Sequence, residues 1–362
     1  MAKKKSWITL GIILGVLVVI VLGGFLIGTH YLNQMRHIDL EEMLEPPENI
    51  EEIRQEEEAV IPKEEEYENF KKDFGIIEDD SQEEKTEEEK QQEIDEWEKE
   101  WPELTSDIEW KEVPAIDTQE IFNIMLVGQD RRPGEGRCRS DSMILLSINF
   151  KTAKVSMCSF QRDSWVQIPG YADNRLNVAY RYGDIPLMYK TYEKNFGLHI
   201  DGTFAVDFDG FKSVVDTLGG VVITLTEGEA NIVGTHSGEN RLNGEQALAY
   251  SRIRYLDSEF KRTERQRKVL LSIYDEIKDA SPEQLVKTLK NLLPYMSTDL
   301  TNNDIWTLAG KMIPILSKLE ISTFHAPDDG EYYNARIKGR AIFVPNLKKI
   351  RDRLQNEILP SN

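Results

Sequence analysis

Residues 7–28 contain no charged side chain and are rich in Ile, Leu, Val and Gly. About 20 apolar residues suffice to cross the hydrocarbon core of a bilayer as a helix, so this stretch constrains the chain more than any other feature. Lys3, Lys4 and Lys5 precede it, and basic residues beside a span favour the cytoplasmic side. The expectation is a single-pass anchor over 7–29 in a cell membrane, with a cytoplasmic tail at 1–6 and the rest of the chain outside. A cleaved leader would have a shorter apolar stretch and a small-residue cleavage site, and no such site follows.

The formal charge of −20 is unevenly placed. Residues 31–120 carry −25 and residues 1–30 carry +3, which leaves +2 for 121–362. Runs such as EEIRQEEEAVIPKEEEYE and EEKTEEEKQQEIDEWEKE have few aliphatic residues, too few to offset the entropy of ordering. Residues 30–117 are therefore read as an acidic stalk, disordered or partly helical, extended by its own repulsion. The remainder is nearly neutral and faces outward, which argues against a nucleic-acid partner.

From 118 to 362 the pattern changes. Short apolar runs at 121–127, 143–150, 154–160, 203–206 and 221–225 read as strands. Helical patterns fall between and after them, at 184–196, 208–218, 242–250, 260–278, from 282 onward, 301–316 and 345–357. Gly197 and Gly219-Gly220 mark helix ends, and Ser281-Pro282 a helix start. Strands alternating with helices imply an α/β fold, a layered α/β/α sandwich around a central mixed sheet. The runs 143–150 and 154–160 form a hairpin on this reading. That places Cys158 opposite about Leu145 and several residues from Cys138, too far for a disulfide at strand spacing, so two thiols are expected.

Three clusters carry chemistry. The loop 128–140, GQDRRPGEGRCRS, follows the first strand, and α/β sheets bind ligands at the carboxyl ends of their strands. It holds Asp130, Arg131, Arg132, Arg137 and Arg139, with Asp141 just beyond. Two carboxylates at neighbouring strand ends suit a hard cation such as Mg²⁺ or Mn²⁺ together with phosphate oxygens. Arginines grip phosphate oxygens through forked pairs of N–H groups. Gln161-Arg162-Asp163 ends the third strand at the same edge. Ser251-Arg252-Ile253-Arg254 reads as extended, with both arginines on one side. In KRTERQRK, Arg262 and Arg265 are three apart on one helix face, with Gln266 beside them. A basic helix start opposes the helix dipole, and a bound anion would remove that conflict. Each cluster alone suits a surface salt-bridge set; together they point to a pyrophosphate site outside the membrane.

The segments IFNIMLVGQDRR, GRCRSDSMILLSIN, SFQRDSWVQIPG, RLNVAYRYG, VDFDGFKSVVDTLGGV and LNGEQALAYSRIRYLDSEFKRTERQR occur in this order over 121–270. Their order and spacing resemble the LytR–CpsA–Psr family of cell-envelope enzymes. The resemblance implies a phosphotransferase of a Gram-positive-type envelope. Such an enzyme moves an anionic glycopolymer, of teichoic acid or capsule type, from a polyprenyl-pyrophosphate carrier to peptidoglycan, at the C6 hydroxyl of N-acetylmuramic acid. It also implies Mg²⁺ at Asp130 and Asp141, and pyrophosphate contacts from Arg132, Arg139, Arg162, Arg252, Arg254, Arg262, Arg265 and Gln266. Asn177 lies in the segment matching the family's basic–hydrophobe–asparagine motif, and the prenyl chain is expected in an apolar tunnel between sheet and helices. Asp130, Asp141, Arg162 and Asp163 are the expected catalytic residues, with Asp130 or Asp163 as the base. The chain departs from the family where Gln161 replaces the usual proline before Arg162-Asp163. Two alternatives stay open: a hydrolase of prenyl pyrophosphates, and a non-enzymatic regulator that binds them.

Overall fold

The computed structural model describes residues 25–41, 43, 46–62, 65–68, 71, 87–105, 107–118, 120–129, 137–253, 256, 259–278 and 282–359. The N-terminal part contains α1 (Phe25–Leu32), β1 (Arg36–His37), α2 (Ile50–Glu58) and α3 (Glu87–Glu100). Next come β2 (Ile121–Gln129), β3 (Ser140–Asn149), β4 (Lys154–Phe160), β5 (Trp165–Val166), β6 (Asn174–Arg175), α4 (Leu176–Phe196) and β7 (Gly202–Asp207). They are followed by α5 (Phe208–Thr217), β8 (Val221–Leu225), α6 (Glu227–Val233), β9 (Gly238–Leu242), α7 (Gly244–Ser251), α8 (Glu259–Lys278) and α9 (Pro282–Leu292). The chain closes with β10 (Met296–Thr298), α10 (Asn302–Met312), β11 (Glu320–Ala326), β12 (Tyr332–Ile337), β13 (Arg340–Pro345) and α11 (Leu347–Ile358).

Seven strands form one mixed sheet in the order β1-β10-β7-β2-β3-β4-β11. Its centre is apolar on both faces, as a sheet covered on both sides requires. In β2, Phe122, Ile124 and Leu126 point to one core, while Ile121, Met125 and Val127 point to the other. The first core is closed by α5, α7, α8, α9 and α10, the second by α4 and α11. The fold is thus the expected α/β architecture with a central mixed sheet. The β3–β4 hairpin has the expected register, with Leu145 opposite Cys158, and both cysteines are buried thiols.

Several elements differ from expectation. Helix α4 starts at Leu176, ahead of the expected 184, because Gly183 and Asp184 leave helical geometry at a kink before Pro186. The proline ring disrupts the helical ladder, so the sequence pattern shows only the second half. A Cβ on Gly183 would lie 2.3 Å from that of Leu187, so the kink needs glycine. Strands β12 and β13 pair across Lys338-Gly339, both at positive φ. That is a two-residue hairpin turn whose Lys-Gly sequence lacks the usual Asn-Gly signal.

The stalk expectation is corrected in its described parts. Tyr67, Trp97 and Trp101 are buried together against Phe343, and Arg336 binds Glu66, Glu98 and the Trp101 carbonyl. Full burial of a large apolar side chain is worth about 1.5–3 kcal/mol, whereas an exposed charge pair is worth about 1 kcal/mol or less. Three buried aromatics therefore outweigh the like-charge repulsion that the composition suggested. Among the described residues no helix is long and apolar enough to cross a membrane. Residues 7–24 of the expected anchor lie outside the described residues.

Candidate active site

The ends of β2, β4 and β7 and the start of β3 share one edge of the sheet: Gln129 pairs with both Ser140 and Asp207. Gly128 pairs with Ser142 and Gln129 with Ser140, so Asp141 is the extra residue of a β-bulge. Bulges of this kind recur beside active sites, where they redirect the strand. A Cβ on Gly128 would lie 3.1 Å from that of Ser142, which keeps the two strands close here.

Beneath this edge an apolar cleft of about 1240 Å³, mouth included, runs between the sheet and α5, α7 and α8. Leu126, Ile144 and Leu146 line it from the sheet, and Phe211, Leu248 and Leu270 from the helices. Its rim carries Arg252, Arg262, Gln266 and Asp207. One stripe of α8 builds the wall: Arg262, Gln266, Leu270 and Ile273 follow at spacings of four, four and three. These intervals keep residues on one helix face, so the stripe passes from cationic rim to apolar interior. Arg262 is buried, and the Gln266 Oε1 is a buried acceptor with no partner. Arg252 caps α7 and lies over the Phe208 ring at 4.7 Å. Ser251 ends α7 and Arg252 is its αR C-cap, which corrects the extended reading for these two residues. Asp207 caps α5 by accepting from the Gly210 amide at 2.8 Å.

Arg265 does not join this rim. Its Nε donates to Glu229 Oε1 at 2.8 Å and its Nη1 to the Ile253 carbonyl at 3.2 Å, with both side chains buried. Burial pushes the Glu229 carboxyl up, but hydrogen bonds from Arg265 and the Thr226 amide outweigh it and hold the carboxyl below its ordinary range. The sequence grouped Arg262 with Arg265; the cleft takes Arg262 with Gln266.

A second set lies around Glu57. Arg139 donates to Glu57 Oε1 from Nε at 2.8 Å and from Nη2 at 2.6 Å. Arg181 Nη1 reaches the same oxygen at 2.6 Å, and Arg175 Nη2 reaches Oε2 at 3.3 Å. Arg175 Nη1 also meets Asp163 Oδ1 at 3.4 Å, while Asp163 Oδ2 accepts from Arg162 Nε at 3.2 Å. A continuous chain of charges thus links Arg162, Asp163, Arg175, Glu57 and Arg139. Arg137, the other arginine near Cys138, donates to the Tyr182 carbonyl at 2.7 Å. The Asn177 Oδ1 is buried with no partner. Asp130, Arg132 and Arg254, and the side chain of Asp141, lie outside the described residues.

Sequence reasoning missed Glu57, Arg175 and Arg181. Arg175 had a signal, since it directly precedes Leu176-Asn177. Arg181 had only its helical spacing, and Glu57 was hidden among other glutamates.

The sequence model of the LytR_cpsA_psr family matches residues 75–357. This chain belongs to the LytR–CpsA–Psr family. Among its family relatives, the regulatory protein MsrR of Staphylococcus aureus (strain COL) is 29% identical over 247 residues, covering 65% of this chain and 75% of MsrR. The polyisoprenyl-teichoic acid–peptidoglycan teichoic acid transferase TagT of Bacillus subtilis (strain 168) is 28% identical over 256 residues, covering 66% and 78%. The family fold is shared too. A solved structure of TagT bound to LI-WTA superimposes with a TM-score of 0.55 at 25% identity, over 72% of this chain and 96% of that one.

Proposed function

We propose that this protein is a membrane-anchored transferase that moves an anionic glycopolymer from a polyprenyl-pyrophosphate carrier to peptidoglycan on the outer side of the cell membrane. The observation that carries this reading is the apolar cleft with a cationic rim. A long hydrocarbon chain suits Leu126, Ile144 and Leu270, and a pyrophosphate suits Arg252, Arg262 and the unpartnered Gln266. The names of the relatives support the same reaction class.

Phosphoryl transfer asks little covalent chemistry of the protein. Positioning, and cations preorganised where charge develops, do most of the work. Arg252 and Arg262 would bind the carrier phosphates, and Arg162 would steady the phosphoryl group in transit. Both Asp163 oxygens already engage guanidinium groups. Asp163 is therefore assigned the orientation of Arg162 and Arg175, which leaves Asp130 to accept the proton of the acceptor hydroxyl. The donor set also fits a hard cation: Asp130 directly follows β2, and Asp141 sits at the bulge that faces the end of β2. Mg²⁺ or Mn²⁺ held by these two aspartates would neutralise charge on the pyrophosphate.

The test is turnover of a lipid-linked glycopolymer by full-length protein in lipid, with and without peptidoglycan. Polymer should attach to peptidoglycan, and Arg162→Ala and Asp141→Ala should each abolish attachment. Release of polymer to water at the same rate without acceptor would make the protein a hydrolase. Attachment that survives both substitutions would exclude catalysis at this site and favour a regulator.

A further inference from the structure

Glu57 lies 82 residues before Arg139, in the acidic segment, yet only 2% of it is exposed. Its two oxygens receive Arg139, Arg175 and Arg181. One carboxylate does not use up three guanidinium groups. Arg175 Nε remains a buried donor with no partner. Arg340 lies alongside, donating to the Ala59 and Glu56 carbonyls at 2.7 and 3.0 Å. Burial first, and then the neighbouring Arg175 charge, push the Arg340 pKa down. Forked guanidinium groups around two oxygens, with donors to spare, suit a phosphate-class anion better than a carboxylate.

Helix α2 is held only modestly: Ile53 is buried in the second core with Ile50 packed against it, and Arg54 pairs with Glu51 and Glu58. It is nine residues long, and isolated helices of that length are marginal. Asn49 makes no side-chain cap bond, and no basic residue lies in the last turn. Glu56, Glu57 and Glu58 occupy that turn, where the helix dipole is already negative. The arginines supply what the helix lacks: Arg181 binds Glu56 at 2.5 Å as well as Glu57.

We propose that residues 50–58 are an internal competitor of the anionic substrate. Glu57 holds the Arg139–Arg175–Arg181 pocket in the resting protein and leaves when a phosphate or pyrophosphate group enters. The pocket is continuous with Arg162 through Asp163, so the segment closes one side of the candidate active site. This rests on the pyrophosphate reading of the site given above.

The experiment uses the full chain in detergent micelles and inorganic pyrophosphate as probe. Calorimetry compares the wild type with Glu57→Gln, and amide hydrogen exchange follows residues 50–58 in the wild type. The substitution should tighten binding about tenfold or more, because the competent state is no longer masked. Saturation of the wild type should strip exchange protection from 50–58. If pyrophosphate binds and that protection stays or rises, the competitor is refuted while the transferase reading stands. A folded Glu57→Gln that binds no tighter than the wild type refutes the competitor equally. If Glu57→Gln fails to fold, the wild-type exchange result decides alone. If neither protein binds pyrophosphate, the competitor and the pyrophosphate reading fall together. Binding by Glu57→Gln alone supports the competitor.

Discussion

Leu270 gives the sharpest test of how the cleft reads its ligand. It lies one helical turn beyond Gln266 on the wall of the cleft and packs against the first core. Leu270→Trp places an indole across the passage just inside the rim. Burial of hydrocarbon is worth about 0.8 kcal/mol per CH₂ group, so excluding one isoprene unit of five carbons costs ~3–4 kcal/mol. That corresponds to a loss of roughly 200- to 1,000-fold in affinity. The fold should tolerate the change, because the added rings enter an open cleft; overpacking of a filled core would cost about 1–3 kcal/mol. The assay measures affinity for prenyl pyrophosphates of increasing chain length, with inorganic pyrophosphate as control. Wild-type affinity should rise with length. The variant should gain nothing beyond the first unit, bind pyrophosphate normally and keep its melting temperature. Equal affinity of both proteins for the longest chain would refute the assignment of the tail to this cleft.

Other expectations follow from individual contacts. Arg265→Met leaves the buried Glu229 carboxylate with the Thr226 amide alone, so urea denaturation should show a loss of about 3 kcal/mol, partly restored by adding Glu229→Met, which gives up that cap bond; a stable single variant with weakened pyrophosphate binding would return Arg265 to the rim. Burial pushes the Glu57 carboxyl up, but the charges of Arg139 and Arg175 and the hydrogen bonds of Arg181 prevail, and its pKa lies below the ordinary value. A depressed carboxylate stabilises the folded form above its unfolded pKa of about 4.3 and loses that contribution as pH falls through the folded value. Exchange protection of 50–58, corrected for intrinsic rates, should thus hold from pH 7 to about 5 and decline below the carboxylate range; a decline already at pH 6 would contradict the pairing. Burial pushes the Cys158 thiol well up, so iodoacetamide should modify Cys158 only after unfolding, as read by mass spectrometry of native and denatured samples.

The central strands were legible because their pattern is local. Ile121–Gln129 is apolar on both faces within nine residues, and the β3–β4 hairpin follows from two runs joined by a short turn. The same holds for α5, capped by Asp207 and followed by Gly219-Gly220, and for α8, whose faces are set by periodicity. Strands β10 and β11 were not legible. Met296–Thr298 has three residues, and Glu320–Ala326 carries polar side chains on a strand that, among the described residues, has β4 as its one sheet neighbour. Trp97 and Trp101 were visible as residues, but nothing near them in sequence shows that Phe343 covers them.

The sequence by itself determined the family, the sheet centre, the hairpin register and the inventory of arginines at the strand ends. It did not determine which arginine meets which anion. Arg262 and Arg265 look alike on a helical wheel. They separate because Glu229, 36 residues away, takes one of them and leaves the other on the cleft. Arg139 and Arg162 looked alike too, until Glu57 and Asp163 divided them. A guanidinium pairs with whichever carboxylate the fold brings within about 3 Å, and that choice is made by chain segments distant in sequence, so only the tertiary structure decides it.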